Sequence, residues 1–116
     1  MNFESDFFAI LSLIGGIFTV VGIIMYLFPP RKINFLYGYR TSNSMKSKER
    51  WDFAQRYSAL LMIKIGLAMC VLSSLGLFIT ISEDFDFYLA MLLLLIFIVL
   101  LFLKTEKAIK SNFKEI

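Results

Sequence analysis

Three long apolar runs, Phe7–Phe28, Tyr57–Ile81 and Phe85–Leu103, occupy most of the chain, and polar stretches of contrasting charge separate them. Each run approaches the ~20 residues that an α-helix needs to cross a hydrocarbon core about 30 Å thick. The pattern predicts an all-α integral membrane protein: one membrane domain over residues 1–116 with three transmembrane helices, a loop over 29–56 and a tail over 104–116. Pro29-Pro30 closes the first run, because proline cannot continue a helix beyond its first turn. A cleaved leader is not expected there. Glu4 and Asp6 stand where a leader carries basic residues, the run exceeds the usual h-region, and no small-x-small site precedes the prolines.

The long loop has two parts. Residues 29–43 are rich in turn formers: Pro29, Pro30, Gly38 and Thr41-Ser42-Asn43. From Ser44 onward helix signals take over, with Ser44 or Ser47 available as the N-cap and neither Gly nor Pro between Met45 and Tyr57. Met45, Trp51, Ala54, Tyr57 and Ser58 fall near one face of that helix. It either lies at the membrane interface or feeds straight into the second span, with Trp51 and Tyr57 placed as an aromatic belt would place them. In the tail, Ile109, Phe113 and Ile116 recur at helical spacing among lysines. That segment rests on anionic lipid as an amphipathic stretch, or it is a frayed end.

Composition agrees with the block pattern. Of 116 residues, 59% are hydrophobic and 18% charged, against about 45–50% and 25% in soluble domains. Charge sets an orientation. The long loop carries seven basic residues (Arg31, Lys32, Arg40, Lys46, Lys48, Arg50, Arg56) against Glu49 and Asp52, and the tail carries four lysines. The segment before Phe7 and the short loop Ser82–Asp86 carry acids and no Lys or Arg. Lys/Arg-rich loops stay in the cytoplasm, so the expected topology is N-terminus outside, long loop inside, acidic hairpin outside and C-terminus inside.

Small residues line two of the spans: Gly15, Gly16, Thr19 and Gly22 in the first, and Gly66, Cys70, Ser73, Ser74 and Gly76 in the second. In lipid, where apolar burial gives helices no reason to associate, such residues let backbones approach closely. Packing of span one on span two is the expected use, and homo-oligomerisation the alternative. The third span is nearly all large aliphatics with Phe97 and Phe102, and is expected to face lipid.

Candidate chemistry is sparse. Histidine is absent and Cys70 is the single cysteine, so no disulfide within the chain and no His/Cys metal site are expected. No metalloprotease, phosphate-loop, nucleophile-elbow or CxxC motif occurs, and no acid–base pair has an obvious location. The chain is expected to bind and not to catalyse, without a cofactor. The basic patch belongs to the membrane surface, so nucleic acid is not an expected partner; anionic lipid headgroups are. Lys64 is the ionisable residue well inside a span. It snorkels toward the headgroups, about 10 Å up the helix, or lines a polar pocket between spans. Arg50, Tyr57 and Lys64 are heptad-spaced and share a face able to meet an anion.

Gly38-Tyr39-Arg40-Thr41, then Ser44-Met45-Lys46, Trp51 and Arg56-Tyr57, resemble the core module of the SdpI family, small bacterial membrane proteins. The similarity extends from about Phe7 to Leu103. It implies a multi-pass protein of the bacterial cell membrane with an immunity or signalling role against a membrane-acting toxic peptide, that peptide or a cytoplasmic regulator being the partner. The alternative is a structural or accessory subunit of a larger membrane complex. Ser42 stands where the family often has proline, and the extra N-terminal membrane domain of the name-giving member has no counterpart in this sequence. The resemblance and the loop chemistry together nominate Gly38, Arg40, Thr41, Trp51, Arg56 and Lys64 as binding residues. Arg40 leads, since its planar guanidinium fork suits carboxylate or phosphate.

Overall fold

The computed structural model describes residues 2–34, 36–79 and 81–113. These form α1 (Asp6–Leu27), α2 (Lys48–Ser73), α3 (Leu75–Phe78) and α4 (Glu83–Asn112), with no strand among them. Three helices are long and apolar enough to cross a membrane, α2 and α3 together counting as one. The protein is a multi-pass, all-α membrane protein.

Serine side chains cap all three long helices. Ser5 Oγ accepts from Phe8 N, Ser47 Oγ from Arg50 N and Ser82 Oγ from Phe85 N, at 3.3, 3.1 and 3.1 Å. Each satisfies one of the N–H groups that the first helical turn leaves without a partner. Of the two caps offered by the sequence, Ser47 opens α2, which runs unbroken from Lys48 into the second span. Its first turns therefore extend the span and do not lie flat on the membrane. The break at Ser74 follows two hydroxyls that bond back to carbonyls, Ser73 Oγ to Cys70 O and Ser74 Oγ to Val71 O, both at 2.6 Å; such back-bonding bends helices.

Packing is antiparallel. Gly15 of α1 meets Gly66 of α2, and Gly22 meets Ala59 and Ile63, so one helix rises as the other falls. A methyl placed on Gly66 would lie 2.6 Å from the Gly15 carbonyl oxygen and 2.6 Å from the Thr19 nitrogen, and one on Gly22 would lie 2.9 Å from the Ala59 oxygen. Thr19 closes its own account by donating to Gly15 O at 2.7 Å. Cys70 is a packing residue here, its sulfur 3.0 Å from where a Gly15 methyl would sit. The small-residue stripes thus serve the α1–α2 seam. Two members depart from this: nothing lies within 4 Å of the missing side chain of Gly16, which faces away from α2, and Ser74 is exposed, its hydroxyl turned back to Val71 O.

Helix α4 joins more loosely, and along its middle it exposes Leu92, Leu95, Ile96, Val99 and Leu103. Its 30 residues run about 45 Å at 1.5 Å per residue, longer than a ~30 Å hydrocarbon core. The excess projects past Leu103 at the basic end of the molecule, as a helix and not as a frayed tail. Nor does the apolar stripe of that segment lie on lipid. Ile109 is fully buried against Tyr39 and Ala54, and Phe113 packs on Phe53. Arg50 donates to Phe113 O at 3.2 Å and sits over its ring. Ile116 lies outside the described residues.

Candidate functional site

The described residues of the loop between α1 and α2 form no helix or strand, so their backbone groups must find partners elsewhere. Apart from two turns at the loop's end, Met45 N to Thr41 O and Lys46 N to Asn43 O, they find them in side chains. Gln55, fully buried on the third turn of α2, pairs with Tyr39 through both ends of its amide: Oε1 accepts Tyr39 N at 2.6 Å, and Nε2 donates to Tyr39 O at 2.7 Å. One turn earlier the indole of Trp51, also fully buried, donates to Pro30 O at 2.6 Å. Ser44 Oγ bonds Tyr39 O and Thr41 O and accepts from Thr41 N at 2.8 Å, while Thr41 Oγ1 accepts from Ser44 N. Tyr37 OH donates to Phe28 O at 2.8 Å. The loop is a built object, fastened at both ends and at its middle.

Gly38 is the pivot. Its φ of +104° lies in the left-handed region, open to glycine and costly for other residues. A methyl there would also run into Gln55 Oε1 and Pro30. The turn at Gly38 sends Tyr39 inward and leaves Arg40 outside.

Glu106, on the projecting end of α4, receives the loop. Tyr39 OH donates to Oε1 at 2.8 Å and Asn43 Nδ2 to Oε2 at 2.6 Å. Burial pushes the Glu106 carboxyl up, but the hydrogen bonds from Thr41, Asn43 and Tyr39 and the charge of Lys110 outweigh it. The net shift is downward. Tyr39 is shifted the other way, chiefly by burial and then by its bond to Glu106 and that carboxylate's charge. Its ring packs on Phe102, so Tyr39 joins the loop to α4 through both its face and its hydroxyl.

Beneath this lid lies a cleft of about 390 Å³, walled by Val21 and Met25 of α1, Ser58 and Met62 of α2, and Leu101 and Phe102 of α4. Leu36–Arg40 form its rim. Arg40 is exposed there and makes no hydrogen bond or ion pair with any described residue.

The nominated residues therefore separate. Gly38, Arg40 and Thr41 share the loop: Arg40 presents a free cation, while Gly38 and Thr41 shape the turn that holds it. Trp51 is not an interfacial belt residue; its indole is wholly inside and clamps the start of the loop. Arg56 and Lys64 are exposed on α2 and do not line the cleft, so no single surface unites all six. Of the heptad-spaced Arg50, Tyr57 and Lys64, Arg50 is engaged by Phe113 and Lys64 is exposed. Gln55 and Glu106 escaped the sequence reading, and Tyr39 entered it only as a member of the Gly38–Thr41 motif, with no role of its own. Glu106 had one signal, as the acid set among Lys104, Lys107 and Lys110, and Gln55 another, as a polar residue between Ala54 and Ser58 on the inner face.

The SdpI/YfhL protein family matches this chain over residues 31–104, a stretch that takes in every fastening residue of the loop named above except Phe28, Pro30 and Glu106. An uncharacterized protein of Bacillus subtilis (strain 168), YfhL, is 43% identical over 96 residues, covering 83% of this chain and 82% of its own length. No solved structure matches.

Proposed function

The chain belongs to the SdpI/YfhL protein family, and on that premise we propose that it protects a bacterial membrane against a membrane-acting toxic peptide, or signals the presence of one, by binding and not by catalysis. The observation that carries this reading is the contrast between Arg40 and its surroundings. Gln55, Trp51, Ser44 and Glu106 hold the loop rigid, yet the cation it presents at the rim of the cleft has no partner among the described residues. Ordering a loop costs conformational entropy, and a pre-ordered Arg recovers that cost as binding affinity. Setting topology needs only cationic charge near the membrane, not a fixed guanidinium.

In this reading the basic loop and the end of α4 lie in the cytoplasm and the acidic hairpin outside, as the Lys/Arg asymmetry favours. A reporter inserted at Glu83–Asp86 is expected outside and one following Ile116 inside; cytoplasmic activity at the hairpin overturns the orientation.

Function is tested at Arg40. Arg40→Lys keeps the charge and removes the planar fork. Cells challenged with the toxic peptide are expected to lose most protection with this variant at unchanged membrane levels, while Lys48→Arg, in an exposed pair with Asp52, protects like the wild type. Full protection by Arg40→Lys would show that the loop acts through net charge alone. Trp51→Ala is not a clean probe of recognition, because it empties a buried site and unfastens Pro30.

A further inference from the structure

The geometry of the cleft points to its occupant: we propose that it holds one anionic phospholipid, with the phosphate on the Arg40 guanidinium and the upper part of an acyl chain between α1 and α4. Depth is the first argument. Tyr39, next to Arg40, bonds Glu106, which lies three residues past Leu103, the end of the apolar stretch of α4. Arg40 therefore stands at the border between apolar and charged surface, where lipid phosphates lie.

The walls give the second argument. Val21, Met25, Met62, Leu101 and Phe102 are apolar, and their neighbours along α1 and α4, Ile24, Tyr26 and Leu103, are exposed. The cleft thus opens sideways into lipid. Leu36, on its rim, is 97% exposed, a placement for a leucine that suits acyl chains and not water.

Size and charge separate the candidate occupants. A helix about 10 Å across would fill ~390 Å³ with less than one turn, so a helical peptide is poorly matched, whereas a single chain segment fits. The rim cation selects an anion, and a guanidinium takes two phosphate oxygens at once. This inference rests on reading Arg40 as a recognition group and names its ligand.

The test requires no toxin, so its failure is distinct from a failure of protection. The purified full chain is offered equal amounts of phosphatidylglycerol and phosphatidylcholine, together with an apolar peptide bearing a free C-terminal carboxylate. Retained molecules are counted by native mass spectrometry. The expected result is one phosphatidylglycerol per chain, with retention about tenfold weaker for Arg40→Gln, a loss on the scale of a charge-assisted bond. Val21→Trp, which fills the cleft and leaves the cation in place, is expected to reduce retention comparably. Lys32→Gln, which removes an exposed loop cation outside the cleft, leaves retention unchanged. Equal retention of the two lipids, undiminished retention by Arg40→Gln or by Val21→Trp, an equal loss with Lys32→Gln, or Arg40-dependent capture of the peptide in place of lipid would each overturn the proposal.

Discussion

The α1–α2 seam and the loop that follows α1 are held together by opposite means. Along the seam the contacts are backbone on backbone: Gly15 against Gly66, Gly22 against Ala59, with Thr19 bonded inside its own helix. In the loop nearly every fastening is a directional side-chain bond, from Gln55, Trp51, Ser44, Tyr37 and Glu106. The solvent accounts for the division. Helices in lipid satisfy their own N–H and C=O groups and gain nothing from burying apolar surface against one another, so closeness of approach is what remains to stabilise them. An irregular loop at the membrane border has unsatisfied backbone groups, and here buried side chains supply the partners. The seam tolerates no added volume; the loop tolerates no lost partner.

The strongest way to break that contrast is to add volume on each side of α1. Gly66→Leu drives a side chain into the backbone of α1, and overpacking of this kind costs about 3 kcal/mol or more where the obstacle cannot move. The expected outcome is a chain that fails to accumulate in the membrane or unfolds at much lower SDS. Gly16→Leu, one residue from Gly15 and with open space before it, is expected to match the wild type. Comparable damage from both would mean that the seam is not what holds the helices.

The next effect removes a partner without adding volume. Gln55→Leu leaves the buried N–H of Tyr39 with nothing to donate to, a penalty of about 2 kcal/mol. The Tyr39 carbonyl suffers less, because Ser44 Oγ also reaches it at 3.2 Å. Trp51 is the sole tryptophan and clamps the same loop, so its emission reports the change directly. It is expected to shift red and to become quenchable by water-soluble quenchers, with the spans still folded. A loop unchanged by Gln55→Leu would shift the weight of the clamp to Glu106.

The two regions also differ in how readily they are read from sequence. The spans declare themselves through apolar runs, and the seam through glycines at helical spacing, because both depend on near neighbours along one helix. The loop depends on pairs far apart in sequence. Asn43 and Glu106 are separated by 63 positions and Tyr39 and Glu106 by 67, and no local pattern links them. The end of α4 was obscured for a related reason: lysines after Leu103 end the apolar run, although the helix continues to Asn112 on the support of Ile109 packing beneath Tyr39. Trp51 misleads in a different way. A tryptophan at a membrane border suits a belt, and only the position of Pro30 O turns its N–H inward.

The smallest effect in this series is that of Glu106, and its sign follows from its setting. The carboxyl is held below its ordinary range once the bonds from Thr41, Asn43 and Tyr39 and the charge of Lys110 have overcome the cost of burial. A carboxyl whose folded value lies below its unfolded one contributes stability above the unfolded value, about 4.3 for glutamate, and that contribution is lost as pH falls through the lower folded value. The loop is therefore expected to hold its Trp51 emission from neutral pH down to about pH 4 and to loosen below it. Glu49 and Asp52 also stand near the loop, at the start of α2, so the diagnostic quantity is the difference from Glu106→Gln. That variant keeps one acceptor oxygen, which serves Tyr39, but opposes an amide to Asn43. It is expected to cost about 1 kcal/mol at neutral pH and to flatten the acid limb of the curve. An acid limb equally steep in Glu106→Gln would mean that the loop is fastened to α2 alone, and that the projecting end of α4 is only its neighbour.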